Sequence, residues 1–289
     1  IAREGQAGLV AIDVAGGLDR RKVLHPEIQM QVPLDQKMLP RYFKEAGYAS
    51  AAIGKWHVGG QGFGPREHGF DFYHPGQANT TPSATEGGKG EYDLTAAAEK
   101  FIETHQDKPF LLYLAHNAPH IPYTAQTNRI AHNAGAFEPV YAGVIETLDD
   151  AVGRLLAKLD ALRLASNTIV VFTADNGGLH VPEGRHRKVT HNTPFRAGKG
   201  FVYEGGLRIP LIIRWPGKIP AGAVSNEIVS HLDWLPTFLA AAGEPEVKEK
   251  LLKGHKAGEK SFKVHLDGYN QLPYLTGETE ESPRKEYFY

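Results

Sequence analysis

The order of apolar segments in this chain predicts an α/β fold with a largely parallel sheet sandwiched by helices. Strand-like and helix-like stretches alternate along it. The two most apolar strand candidates, Phe110-Leu111-Leu112-Tyr113-Leu114-Ala115 and Thr168-Ile169-Val170-Val171-Phe172-Thr173, run without polar interruption, as strands covered on both faces do. Polar residues able to do chemistry also follow the ends of successive strands, where ligands bind in open α/β sheets.

Each element has a local reason. Residues 39–46 form a short helix that tolerates Pro40 in its first turn and ends at Gly47. Residues 48–54 are a strand broken at Gly54. A helix is expected over 92–105, then the strand 110–115. The long stretch 138–164 places Val144, Leu148, Val152, Leu155, Leu156 and Leu159 on one helical face. The strand 168–173 follows, and 209–214 is a further strand set near an edge by Pro210. A helix over 233–242 closes the regular part at Gly243.

Composition sets broad limits. A chain of 289 residues with 41% hydrophobic and 22% charged residues is globular and large enough for one sizeable domain. A formal net charge of -1 gives no general attraction to nucleic acid or an anionic membrane. No apolar run reaches the length of a bilayer-spanning helix. The chain starts at Ile1 without a basic-then-apolar leader pattern, and because Ile1 is not Met, nothing about targeting follows. The absence of cysteine excludes disulfides, thiolate metal sites and a cysteine-derived nucleophile within these residues.

Four segments carry candidate chemistry. Gly54-Lys55-Trp56-His57 delivers a lysine and a histidine, two residues apart, from the end of a strand. A compact ammonium suits a sulfate or phosphate oxygen, and an imidazole beside it can move protons near neutral pH. Asp175-Asn176-Gly177-Gly178 is either a plain strand-ending turn or a hard-cation site, where a carboxylate and an amide oxygen suit calcium or magnesium. His116 and His120 are four apart, but Pro119 and Pro122 oppose the helix that a zinc pair would need. A loop histidine bonded to backbone is the other reading. The glycine-rich stretch around Lys199 lacks the Walker spacing and has Phe201 where Ser or Thr should stand, so by itself it is a turn with a solvated lysine. Asp149-Asp150 lies within the long helix, as a solvated face or a local ion pair with Arg154. Residues 59–64 mimic part of a dinucleotide fingerprint, but Pro65 and charged residues follow, and the stretch is a loop.

Taken together these segments resemble the sulfatases, a branch of the alkaline phosphatase superfamily. Gly47-Tyr48-Ala49-Ser50-Ala51-Ala52-Ile53-Gly54-Lys55-Trp56-His57 looks like the family's second signature, and His68-Gly69-Phe70-Asp71 like the segment after it. Ala118-Pro119-His120-Ile121-Pro122, Phe172-Thr173-Ala174-Asp175-Asn176-Gly177-Gly178 and Gly198-Lys199-Gly200-Phe201-Val202-Tyr203-Glu204-Gly205-Gly206 are similar to three further family elements. So are 207–217 and 231–237, and the likeness runs from about residue 33 to the end. It implies a sulfatase-like α/β fold and hydrolysis of an aryl or carbohydrate sulfate ester by a calcium-assisted formylglycine mechanism. It also implies roles: Lys55, Lys199 and His120 on the sulfate, His57 as proton handler, Asp175 and Asn176 as half of the ligands of Ca2+ or Mg2+.

The resemblance has gaps. The Cys-x-Pro-x-Arg or Ser-x-Pro-x-Arg segment that supplies formylglycine does not occur in these residues, nor does the first strand with its paired aspartates. Residues 1–32 stay unassigned, apart from a faint likeness at Ala2-Arg3-Glu4-Gly5. The expectation is a single, incomplete sulfatase-type domain over 1–289, inactive alone, whose residues 244–289 lead toward a C-terminal subdomain. A noncatalytic binder of sulfated glycans is one alternative, and a phosphodiesterase or phosphonate monoester hydrolase of the same superfamily is another. The loop 179–195, with His180, Arg185, His186, Arg187 and His191, either selects an acidic or sulfated sugar or is a solvated variable loop. Family members are often periplasmic, secreted or lysosomal.

Overall fold

The computed structural model describes residues 29–182, 189–257 and 260–288. Residues 1–28, Arg185, His186 and Arg187 lie outside them.

The first helix, α1 (Leu39–Glu45), carries Pro40 in its opening turn, and Gly47 follows it at φ +82°. The chain then enters strand β1 (Ala49–Gly54), buried nearly throughout. The short strand β2 (Phe72–His74), helix α2 (Glu91–Thr104) and strand β3 (Phe110–Ala115) come next. β1 is the middle strand of three, parallel to both neighbours, with Ala51 opposite Phe72 and Ala49 through Gly54 opposite Phe110 through Ala115. Helices α3 (Thr127–His132) and α4 (Pro139–Ala161) lead to strand β4 (Val170–Thr173). After a short helix, α5 (Glu204–Leu207), strand β5 (Leu211–Arg214) returns antiparallel to β4. Helices α6 (Trp234–Ala241) and α7 (Val247–Lys253), a small hairpin β6 (His255–Ala257) and β7 (Lys260–Phe262), and α8 (Leu272–Leu275) complete the described elements.

Period-two alternation decides what covers the three-stranded sheet. Leu112 and Leu114 of β3 join Ala51 and Ile53 against Leu94, Ala98 and Phe101 of α2 and Leu155 of α4. Leu111, one step out of phase, faces the opposite cluster of Tyr42 and Phe43 from α1, Leu239 from α6, and Val247 and Leu251 from α7. The sheet is therefore sandwiched by helices, as expected.

Several expectations are corrected. β3 and β4 are not fully buried: Tyr113 is 50% and Phe172 37% exposed. Each of these strands has one strand neighbour among the described residues, and an unbroken apolar run does not reveal how many neighbours a strand has. The acidic pair on α4 does not pair with Arg154. Asp150 accepts from Tyr92 Oη at 2.7 Å and from Arg129 at 3.0 Å, while Arg154 bonds Glu99 of α2 at 3.0 Å.

Residues beyond 244 pack back on the main body. Asp233, fully buried, receives Arg284 through Nε at 3.0 Å and Nη2 at 2.7 Å, and also Gln271 Nε2 and the backbone N–H of Ser230 and Tyr269. Burial alone would raise the Asp233 carboxyl, but Arg284 and these N–H donors hold it below its ordinary value.

Arg284→Met, which leaves Asp233 charged and unpaired in the interior, is expected to destabilise the fold by about 3–5 kcal/mol, measured as a lower urea midpoint. The unfolded chain protonates Asp233 more readily than the folded chain does. Its contribution to wild-type stability is therefore complete above about pH 4 and fades as the pH falls further.

Candidate active site

The site begins where β1 and β3 end together. Gly54 has φ +95°, and a Cβ there would lie 2.0 Å from the Ala115 carbonyl oxygen, so a side chain would push the two strand ends apart. That approach lets the Lys55 N–H donate to Ala115 O at 2.9 Å. Trp56 then turns inward. Its Nε1 donates to Phe63 O at 2.9 Å, and its ring packs on His68 at 5.6 Å and edge-on to Phe70 at 6.2 Å. With Trp56 anchored, Lys55 and His57 on either side of it are exposed. The returning loop is tied to β1 by Asp71, whose Oδ2 accepts from the Ser50 N–H at 3.0 Å and Oγ at 2.9 Å, while its Oδ1 takes Lys44 at 2.7 Å.

His120 sits in the loop that leaves β3, exposed, with Nδ1 at 2.9 Å from Ile121 O. A carbonyl only accepts, so Nδ1 carries the proton and Nε2 is left for a ligand. His116, at the start of the same loop, behaves differently. Both its ring nitrogens are shut off from solvent and have no partner among the described residues, and burial pushes the imidazole down to about 4. Its neighbour Asn117 is also buried. The His-x-x-x-His spacing pointed to no such difference.

The end of β4 is a glycine knot. The Gly177 N–H donates to Gly206 O at 3.0 Å, and a Cβ on Gly177 would lie 1.8 Å from Gly205 O. The Gly205 N–H donates to Arg196 O at 3.0 Å, and the Lys199 N–H to Gly178 O at 3.1 Å. Asn192 closes the knot, accepting from the Gly178 N–H at 2.9 Å and donating to Gly178 O at 2.9 Å and Ala197 O at 3.0 Å. These bonds hold Lys199 beside Asp175 and Asn176. Asn192 is a supporting residue that the sequence reading did not single out. Nor did it single out His231, whose Nε2 donates to Ala174 O at 2.8 Å while Nδ1 accepts from Trp234 at 3.0 Å.

The structure thus gathers Lys55, His57 and His120 at the β1–β3 end and Asp175, Asn176 and Lys199 at the β4 end. No hydrogen bond joins the two groups among the described residues. Tyr113 of β3 has its phenol raised by burial of its hydroxyl end and then by the negative charge of Asp175. Asp175 makes no hydrogen bond or ion pair among the described residues, and Asn176 Nδ2 donates to Gly177 O at 2.9 Å, which leaves its Oδ1 free. Two hard oxygen donors without other work fit calcium or magnesium. Among the described residues no group of three or more His, Asp or Glu is placed to hold a metal ion.

Gly54→Ala is expected to destabilise by at least about 2 kcal/mol, read in thermal unfolding, because both the positive φ and the clash oppose it. His116 is neutral when folded, whereas its imidazole titrates at 6.5 in a model peptide. Stability should therefore fall as the pH drops from 6.5 toward 4, by up to about 3 kcal/mol, and level off below that. His116→Leu is expected to remove that slope in urea titrations across the same pH range.

A family model described as Sulfatase matches residues 19–244. The chain is 34% identical over 260 residues to N-acetylgalactosamine-6-sulfatase of Sus scrofa, covering 79% of this chain and 49% of that protein. It is 32% identical to Arylsulfatase A of Homo sapiens, covering 92% of this chain and 56% of that protein. Among solved structures, Ps i-CgsB in complex with k-i-k-neocarrahexaose is similar at TM-score 0.73 and 31% identity, over 88% of this chain and 60% of that one. The PsFucS1 sulfatase from Pseudoalteromonas sp. matches at TM-score 0.66 and 26% identity, over 88% and 57%. The chain spans about half the length of the curated relatives it matches. These likenesses span both halves of the site, and the chain belongs to the sulfatase family.

Proposed function

We propose that the protein containing this chain hydrolyses a sulfate ester to alcohol and sulfate. The observation that supports it most is that Lys55, directly after β1, and His120, in the loop after β3 with Nδ1 bonded to Ile121 O, are exposed, and that the Lys199 backbone is tied to Gly178 at the β4 end. A sulfate monoester carries one negative charge spread over three oxygens, and cationic donors from both sides match it.

Lys55 and Lys199 hold sulfate oxygens and neutralise charge as the ester bond breaks. His120, with Nδ1–H fixed on Ile121 O, presents Nε2 to the bridging oxygen and, in its imidazolium form with Nε2 also protonated, delivers that Nε2 proton to the departing alcohol and is left neutral. His57, two residues from Lys55 and steered by the anchored Trp56, moves protons on the side of the attacking group. Asp175 Oδ and Asn176 Oδ1 would hold a calcium ion together with ligands from elsewhere in the protein. The ion would supply Lewis-acid polarisation, and a formylglycine outside these residues would supply the nucleophile.

In the intact protein Lys199→Ala is expected to lower kcat/KM for a sulfate monoester by about 10²–10³. A wild-type protein that prefers phosphate diesters, or that binds sulfated sugar without cleaving it, would overturn the proposal. Calcium is expected to raise the thermal unfolding midpoint, a shift that Asp175→Ala should abolish. An equal shift in both proteins would remove Asp175 from the ion's ligands.

A further inference from the structure

Asp175 is exposed and its side chain makes no hydrogen bond among the described residues, so the direction of its carboxylate is set by the backbone that carries it. Three points fix that backbone. Before it, Thr173 is paired with Leu211 of β5, and its hydroxyl donates to Pro210 O at 3.0 Å. After it, the Gly177 N–H reaches Gly206 O at 3.0 Å. Between them Ala174 lies one residue past the end of β4, and its carbonyl oxygen takes the imidazole of His231 at 2.8 Å, from 57 residues along the chain. The oxygen of Ala174 and the N–H of Asp175 belong to one rigid plane. Holding the oxygen holds that plane, and with it the direction in which the carboxylate leaves the chain.

His231 has no nitrogen left for chemistry of its own. A carbonyl only accepts, so Nε2 carries the proton, and Nδ1 takes the indole N–H of Trp234 at 3.0 Å, a group that only donates. The tautomer is fixed from both sides. Its mount is equally firm, because His231 opens a single helical turn, His231–Asp233, capped by Ser230. The Ser230 hydroxyl accepts from the Leu232 N–H, and the Ser230 N–H donates to Asp233 Oδ2 at 2.9 Å. Asp233 is the buried carboxylate clamped by Arg284 and Gln271, and Trp234 stacks on Phe238 at 5.3 Å and 14°. A run of contacts thus leads from residues 271–284, through this turn, to the peptide bond in front of Asp175.

We propose that His231 is a positioning residue for the cation site, holding the Ala174–Asp175 peptide so that the Asp175 carboxylate is presented to the ion. The inference rests on the reading of Asp175 as a calcium ligand. Groups that orient a metal's ligands without touching the ion typically change its affinity by about 10–100-fold when removed. Such a group commonly bonds the ligand's own side chain. Here the bond is made to the backbone instead, which leaves both oxygens of the Asp175 carboxylate for the ion.

Calcium alone is the probe, titrated into the intact protein by calorimetry. His231→Phe, which keeps a flat ring and removes both nitrogens, is expected to weaken calcium about tenfold. His231→Gln, whose amide N–H can still donate to Ala174 O, should bring the affinity back to within about threefold of wild type. Should His231→Phe fail to fold, His231→Ala carries the same expectation. A histidine that merely docks its turn on the end of β4 would lower the calcium-free unfolding midpoint in these variants and leave the calcium affinity unchanged, and that result would overturn the proposal. So would equal losses in His231→Phe and His231→Gln. A wild-type protein that binds no calcium, or binds it no better than Asp175→Ala, removes the ligand reading of Asp175 first, and the role of His231 falls with it.

Discussion

The closeness of two backbones at Gly54 is the constraint on which the rest of the site depends. A side chain there would meet the Ala115 carbonyl, so the parallel pair β1–β3 can run to its end only with glycine in place. The Lys55 N–H then caps the same carbonyl, which puts a cation at the strand end without any side-chain support. Trp56 converts that end into a fixed direction, by burying one residue so that its two neighbours face out. Sequence, backbone geometry and charge placement are joined here in three consecutive positions.

The β4 end reaches a similar result by other means. Its glycines let three backbone segments pass within hydrogen-bonding distance, and a single amide side chain, Asn192, satisfies groups on two of them. At the β4 end neutral backbone bonds and the Asn192 amide hold the elements in place, and Lys55, Lys199 and Asp175 make no ion pair among the described residues. A lysine already paired with a carboxylate would have to break that pair before meeting a sulfate. Ion pairs lie between α2 and α4 at Glu99–Arg154 and Glu103–Lys158 and in the interior at Asp233–Arg284, and also beside the site's loops at Lys44–Asp71 and Arg208–Glu204.

Much of this was legible in the sequence, for identifiable reasons. The helices around α2 and α4 and the strands β1 and β3 announce themselves through period and through bounding glycines. Lys55 and Asp175 stand out because each follows a strand closely, whereas His120 and Lys199 are picked out only by the family resemblance of their segments. What could not be read depended on distant partners. β2 has only three residues, too few to show a period, and it exists because Asp71 pins the returning loop to Ser50. The antiparallel direction of β5 is set by the path of the chain after the knot, not by its own apolar run. Arg129 reaches Asp150 from α3 across a gap in sequence that favoured Arg154 as the partner. The burial of His116 belongs to the packing around β3, and its chemical type alone pointed the other way.

The clasp at Asn192 has a further consequence. The chain leaves the knot at Gly178 and re-enters it at Asn192, and the two are bonded to each other through both backbone groups of Gly178. A loop closed at its base in this way can change length and composition without moving Lys199, because closure entropy grows only slowly with added residues. Evolution, or a designer, could therefore exchange the stretch between these two residues as a cassette while Lys199 stays in register.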